Sequence, residues 1–235
     1  MAERPVYIPS ATGVSFVVTK NVEFKWFAGM AVSQKQKSID SLHSAALQIP
    51  GVKSVLEISS KSREQVGISL SAFNLMITTV KNNRAFSVES AFQGSKVFER
   101  GGPFVDLLEK SSREAKGDER IQSSGRLLGF RFFGAEWELE PLTAFYDWLY
   151  INALRKQPDL VERVVQYSAF TDIEFNPTRS INCQAYSAAL FMSLVNRGLI
   201  EYATSSKAAF LETVRSAVVN NAARDESIQT GLAFG

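Results

Sequence analysis

The 235-residue chain contains a single cysteine and a single histidine. With Cys183 alone, no internal disulfide can form, and a reducing cytoplasm is the expected setting. With His43 as the one imidazole, Ser-His-Asp and Cys-His arrangements have only one candidate base. A zinc site built from several His and Cys ligands is nearly excluded. Long hydrophobic runs are missing too. No stretch approaches the ~20 apolar residues that a membrane-spanning helix needs, and Met1-Ala2-Glu3-Arg4-Pro5 lacks the charged-then-apolar layout of a signal peptide. No membrane association is therefore expected. Charge of one sign is absent as well: 26 basic residues against 24 acidic ones leave +2. That gives no strong overall field, so any contact with DNA or RNA has to be local. Chemistry in this chain must run mainly on carboxylates, lysine, hydroxyls and backbone amides.

What is present is an ordinary globular composition, 45% hydrophobic and 21% charged, enough to fill one domain over residues 1–225, with 226–235 as a frayed tail. Val14–Val18 and Val22–Phe27 read as strands, with Thr19-Lys20-Asn21 as a hairpin turn between them. Ser33–Leu47 carries Ile39, Leu42, Ala46 and Leu47 at helical spacing, and Pro50-Gly51 follows. Val52–Ser59 and Met76–Val80 read as strands, Lys81–Arg84 as a turn, and Leu127–Phe133 as an internal strand. Lys116–Arg120 and Ser123–Gly125 read as exposed connectors. The C-terminal half is helical, over Leu142–Lys156, Asp159–Ala169, Cys183–Asn196 and Lys207–Asn221, with a loop at Phe170–Thr178. The fold class is α+β, predominantly helical.

The stretch around which the chain is organised is Phe86–Phe98. Read as one helix capped by the Ser87 hydroxyl and closed by Gly101-Gly102-Pro103, it places Glu89, Phe92, Gln93 and Lys96 at i, i+3, i+4 and i+7, on one side. A carboxylate, an amide and an ammonium then share a stripe with an aromatic ring. Such a stripe is either exposed and idle or turned into a pocket where polar groups meet a ligand.

Leu70-Ser71-Ala72-Phe73, followed after fifteen residues by Glu89, Phe92-Gln93 and Lys96, resembles the motif of the NADAR (YbiA-like) family. The resemblance is ungapped from Leu70 to Lys96, although Leu70, Ala72, Ser90 and Ala91 depart from the usual residues. Upstream, Leu56-Glu57-Ile58-Ser59-Ser60 falls on the family's first core strand. Downstream, Trp137 looks like its pocket tryptophan and Asp172 like its late acidic residue. Phe24-Lys25-Trp26-Phe27 and Ser33–Ser38, followed by Leu70–Leu75, are similar to the NADAR antitoxins paired with DarT-type ADP-ribosylating toxins. The resemblance implies a YbiA-like (NADAR) fold, with residues 1–52 as a β-containing N-terminal extension and 53–200 as the catalytic core. It also implies an ADP-ribosyl hydrolase that removes ADP-ribose from guanine bases of DNA, or of RNA, modified by a DarT-type toxin. ADP-ribose is then the product and no metal or diffusible cofactor is needed. The wider family implies an alternative, an N-glycosidase acting on phosphoribosylamino-pyrimidine intermediates of riboflavin synthesis.

Cleaving a C–N glycosidic bond passes through an oxocarbenium-like ribose. The site therefore needs negative charge near the anomeric carbon and a group that activates water or protonates the leaving base. Carried onto this chain, Glu89 is the general acid/base, and Asp172 stabilises the cation or orients the ribose hydroxyls. Lys96 holds a phosphate or the leaving group, or attacks through an imine as a desolvated amine. Phe73 and Trp137 wall the pocket, Gln93 belongs to the same stripe, and Ser71 and Lys61 are phosphate or ribose contacts. The plainer readings are a solvated helix face for Glu89 and Lys96, a core position for Trp137 and a loop cap for Asp172. Lys35 and Lys37 beside Trp26 and Phe27 fit a nucleic-acid strand, or simply a solvated helix start. His43 reads as a partly buried structural residue and Cys183 as an inert core thiol. A third function, of another class, is a non-catalytic protein that neutralises the toxin by direct contact.

Overall fold

The computed structural model describes residues 1–177 and 180–215. Helix accounts for 40% and strand for 19% of a mixed α/β fold. The first strands are β1 (Ala2–Pro9) and β2 (Val17–Phe24), antiparallel and in register from Ala2↔Phe24 to Pro9↔Val17. The reversal therefore falls over residues 10–16, and Thr19-Lys20-Asn21 lies inside β2, opposite Tyr7, Val6 and Pro5. Ser10-Ala11-Thr12-Gly13 supplies the turn because Gly13 adopts φ +82, a conformation that only glycine enters at little cost.

Helix α1 (Val32–Ala46) follows. Ser38, Ile39, Leu42 and Ala46 form its buried stripe, and Ile39, Leu42 and Ala46 join a core with Val6, Phe24, Val55, Ala169 and Ile173. Strand β3 (Val55–Glu57) is buried at every position. It pairs in parallel with β9 (Ala169–Thr171), which β1 flanks on the other edge, so the main sheet runs β2-β1-β9-β3. The segment read as the end of one helix, Asp159–Ala169, is divided: α7 (Pro158–Val164) stops, and Ala169-Phe170-Thr171 becomes β9. All three β9 residues are buried, and the β-pairing partners lie more than a hundred positions away in sequence.

Helix α2 (Gln65–Ser69) packs Gly67 so closely on β3 that an added Cβ would lie 2.0 Å from the Glu57 carbonyl. Strands β4 (Met76–Thr78) and β5 (Ala85–Ser87) form a hairpin that delivers the chain into α3 (Val88–Gly94). The continuous helix read over Phe86–Phe98 ends at Gly94, and β6 (Lys96–Phe98) begins. Ser95 caps the helix, its hydroxyl donating to Ala91 O at 2.6 Å, and its carbonyl accepts from Arg131 N at 2.7 Å. Strand β7 (Leu127–Phe132) thus captures the chain, with Lys96 opposite Phe130. Gly101-Gly102-Pro103 closes no helix but folds the chain back over β6. At Gly102, φ +86, a Cβ would meet Lys96 O at 2.1 Å.

A short 3-10 helix (Val105–Glu109) leads to α4 (Ser112–Lys116) and α5 (Glu119–Ser123), which take up the ends of the connectors read there and leave Gly117-Asp118 and Ser124-Gly125 as the links. Ser111 and Glu114 form a reciprocal capping box at α4. Strand β8 (Ala135–Trp137) pairs with β7 across Phe133-Gly134, both at positive φ, the backbone that a two-residue hairpin turn demands. Helices α6 (Ala144–Leu154) and α8 (Gln184–Asn196) are apolar nearly all round and pack together in the larger core. Helices α9 (Ile200–Ala203) and α10 (Lys207–Arg215) close the described chain. The part of the last expected helix beyond Arg215, the expected tail at 226–235 and Thr178 of the expected loop lie outside the described residues. Among the described residues, no helix is long and apolar enough to cross a membrane.

Candidate active site

The site is assembled where α3 meets the Ser71-Ala72-Phe73 turn. Ser87 starts α3, accepting a hydrogen bond from Ser90 N at 3.0 Å. The first turn is tied to the preceding motif by Glu89 N donating to Ala72 O and Val88 N to Leu75 O, each at 2.9 Å. Ser112, from α4, puts its hydroxyl 2.8 Å from Phe73 O and 2.7 Å from Ser87 Oγ. These bonds hold the motif turn, the start of α3 and α4 as one unit.

Glu89 is buried, at 6% exposure, and so is Gln93. Gln93 Nε2 donates to Glu89 Oε1 at 2.9 Å, which fixes the amide's orientation. Its Oε1 is then a buried acceptor without a hydrogen-bond partner among the described residues. Lys116 Nζ stands 4.0 Å from Glu89 Oε1 and 5.3 Å from the centre of the Phe73 ring. Lys96 Nζ lies 4.9 Å from the Phe92 ring centre. Burial pushes the Lys96 ammonium down to about 8, against the Glu89 charge, which favours the ammonium, and with a smaller push from Lys116. Tyr146 of α6 sets its ring edge-on to Phe92 at 5.1 Å. Burial and then the Glu89 charge hold its phenol well above the ordinary value.

Glu89, Gln93 and Lys96 therefore share one site, although Lys96 reaches it from a strand and not from the helix. Phe73 stands at its edge, half-exposed. Asp172 joins through a relay: its Oδ2 accepts from Gln184 Nε2 at 3.0 Å, and Gln184 Oε1 accepts from Ala72 N at 2.7 Å. Ala72 is the residue whose carbonyl holds Glu89 N. Asp172 Oδ1 accepts from Glu174 N and Phe175 N. The carboxyl is pushed up by burial and by the neighbouring Glu57 charge.

Ser71 is buried, its hydroxyl accepting from Asn74 Nδ2 at 3.1 Å. Lys61 is half-buried, its amide donating to Ser59 Oγ at 3.1 Å. Trp137 is buried against Phe145 and Trp148, with ring centres 5.5 and 5.1 Å away, and its indole N–H has no partner among the described residues. Lys35 bonds Glu174 at 3.1 Å and lies over Trp26 at 4.8 Å, while Lys37 is exposed. A cleft opens at Phe175, three residues beyond Asp172, and Glu89 does not line it. Tyr7 and Cys183, which line it together with Arg4, Phe175 and Tyr186, both feel the Asp172 charge. Among the described residues, no group of three or more His, Cys, Asp or Glu side chains is arranged to hold a metal ion.

Sequence reading did not single out Lys116, Tyr146, Gln184 or Glu57. Lys116 is invisible because α4 is a separate short helix. Gln184 could have been noticed as a polar residue opening an otherwise apolar helix.

The acid and the amide of α3 and the partly desolvated amine of β6 are the residues on which the resemblance to NADAR domains rests. The sequence profile of the DarT1-associated NADAR antitoxins matches residues 2–224, nearly the whole chain, and the protein belongs to that family. Membership supports an antitoxin role toward a DarT toxin. Among curated proteins nothing matches.

Proposed function

We propose that the protein is an ADP-ribosyl hydrolase that removes ADP-ribose from guanine bases of DNA, or RNA, modified by a DarT-type toxin. The observation that carries this reading is the buried Glu89 carboxylate beside the partly desolvated Lys96, inside the segment matched to the antitoxin family.

The bond to be broken joins the anomeric carbon of a ribose to a guanine nitrogen. As it lengthens, positive charge grows on the sugar and the base leaves with the bonding electrons, which a proton must neutralise. Glu89 takes both tasks: its carboxylate stabilises the sugar cation and accepts a proton from the water that adds to the anomeric carbon, and that proton passes to the leaving guanine nitrogen. Gln93 holds the carboxylate in orientation, and its unpartnered Oε1 accepts from a ligand hydroxyl. The Lys96 and Lys116 side chains favour a phosphate-bearing ligand. Phe73, exposed beside Lys116, offers a face on which a base can stack. Asp172 orients the ribose hydroxyls from the α8 side. Trp137, Ser71 and Lys61 complete the proposed substrate-binding set.

Incubation with guanine-ADP-ribosylated DNA should release free ADP-ribose, and Glu89→Gln should reduce release by about 10²-fold or more, the scale of a lost general acid/base. Undiminished release by that variant removes Glu89 from the reaction. A Glu89 and Asp172 double substitution that still protects cells from the toxin would instead favour neutralisation by direct contact.

A further inference from the structure

The stretch Lys25-Trp26-Phe27, just beyond the end of β2, is strapped to α1 by two hydroxyls. Lys25 N donates to Ser41 Oγ at 3.0 Å and Phe27 N to Ser38 Oγ at 2.9 Å. Its two rings are thereby held in place, both half-buried. Each is flanked by cations. Arg4 and Lys35 lie over Trp26, at 5.6 and 4.8 Å from the ring centre, and Lys25 lies over Phe27 at 5.0 Å. Lys37 is exposed, one turn before Ser41 on the same side of α1. The acids on these elements are turned away or engaged. Glu3 and Glu23 are opposed across β1 and β2, which puts them on the sheet face opposite Arg4 and Phe24. Asp40 of α1 is bonded by Arg63, and Glu174 by Lys35. Arg4, Lys25 and Lys37 form no ion pair among the described residues, and Arg4 Nε is buried there without a hydrogen-bond partner.

We infer that this surface docks a single strand of nucleic acid, with bases stacked on Trp26 and Phe27 and phosphates held by Arg4, Lys25 and Lys37. A polymer that alternates planar bases with phosphates matches rings interleaved with cations. A cation over a partly exposed ring is held less tightly than a stacked base. An arriving base therefore displaces it and frees the charge for a phosphate. In a duplex the base faces are already stacked and only the edges open into the grooves, so the strand must be single. An acidic peptide would satisfy the cations and leave both rings without a stacking partner. With a net charge of only +2, the attraction has to reside in a local patch of this kind. The surface also leads toward the proposed site. Lys35 joins Trp26 to Glu174, two residues past Asp172, and Asp172 reaches the Glu89 motif through Gln184. The strand's destination rests on the proposed function; its contact with the patch does not.

The test is fluorescence anisotropy of the full chain with an unmodified, fluorescein-labelled oligodeoxynucleotide of about 12 nucleotides, single-stranded or annealed to its complement. The single strand should bind about 10-fold more tightly than the duplex, and Trp26→Ala and Phe27→Ala should each weaken it about 10-fold, the scale of one lost stacked base. The double variant Lys25→Gln, Lys37→Gln should lower the slope of log K against log salt by about 1. Trp26→Phe keeps a ring, so affinity should stay within about 3-fold. The quenching of tryptophan fluorescence on binding should vanish in it, because Trp137 and Trp148 belong to the other core. Equal affinity for the two forms, or an unmoved salt slope in the double variant, overturns the inference. The double variant and Trp26→Phe decide the matter should an alanine variant fail to fold. Unaltered strand binding in variants that no longer protect cells from the toxin would assign the patch to a protein contact, and overturns it too. Binding is read without turnover, so it stands whether or not ADP-ribose is released. In the release assay the double variant should raise KM for the modified strand and spare kcat; release with an unmoved KM sinks the docking surface alone.

Discussion

Lys96 is the residue on which the chemistry divides. Its ammonium is pushed down to about 8 by burial, so roughly one molecule in ten carries the neutral amine at pH 7. A lysine with a lowered value is charged below it and neutral above it. If Lys96 holds a phosphate or the leaving group as an ammonium, turnover falls as pH rises through about 8, and Lys96→Arg keeps turnover within about 10-fold, since the charge survives. If it attacks the anomeric carbon, turnover rises through the same range, Lys96→Arg is inactive, and borohydride traps an imine. The ammonium role is the expected outcome, because the Glu89 charge beside Lys96 favours the protonated form. A borohydride-stable adduct would refute it.

At the scale of elements, the site depends on how short pieces are tied to one another. Helix α8 contributes one side chain, Gln184, which donates to Ile58 O at 2.7 Å and to Asp172, and accepts from Ala72 N. It thereby links the end of β3, the Asp172 turn and the motif turn whose Ala72 carbonyl holds Glu89 N. Gln184→Ala should leave the Ala72 amide without its partner and lower stability by about 1–3 kcal/mol, measured by denaturant unfolding. ADP-ribose release should fall further than the loss of folded protein explains, because the Ala72 carbonyl positions Glu89 N. A variant with unchanged stability and unchanged release would show that the relay is dispensable. Helix α4 does the same for Lys116 and Phe73, through Ser112.

The whole molecule is stitched by partners far apart in sequence. Strands β1 and β2 extend the sheet that carries β9 and β3, and α1 reaches the Asp172 segment twice, through His43 to Thr171 and Lys35 to Glu174. Inside the larger core, Asp147 is pushed up to about 6 by burial, although the Ser187 and Thr143 hydroxyls donate to it at 2.5 and 2.7 Å. Its ordinary value is 3.8, so between these pH values the folded state binds more protons than the unfolded one, and stability drops as pH rises through that window. Above about pH 6 the penalty is complete, on the order of 2–3 kcal/mol. Asp147→Asn should be the more stable protein at pH 7 and lose that advantage near pH 4, by denaturant unfolding at both. His43 has the opposite slope, since below pH 6.5 the unfolded chain takes up a proton that the folded ring refuses until about pH 4, but it cancels between the two proteins. An advantage independent of pH would mean that Asp147 is ionised at no cost.

Residue types and their order were enough to exclude a disulfide framework and to place α1, β3, α6 and α8. The same order brought Glu89, Gln93 and Lys96 under one motif. Those features follow from periodicity and from residues close together in the chain, where the backbone's own geometry decides the outcome. Other features depended on partners the linear order does not reveal. Lys96 became a strand residue because β7, some thirty positions on, paired with it. Ala169-Phe170-Thr171 left the helical pattern because β1 and β3 needed a strand between them, and sheet hydrogen bonds outweigh local propensity when every residue is buried. Glu57 lay in plain view on its strand, yet its relation to Asp172 exists only once two parallel strands set residues 57 and 171 side by side. Local chemistry is written along the chain; the company each carboxylate keeps is settled by long-range packing.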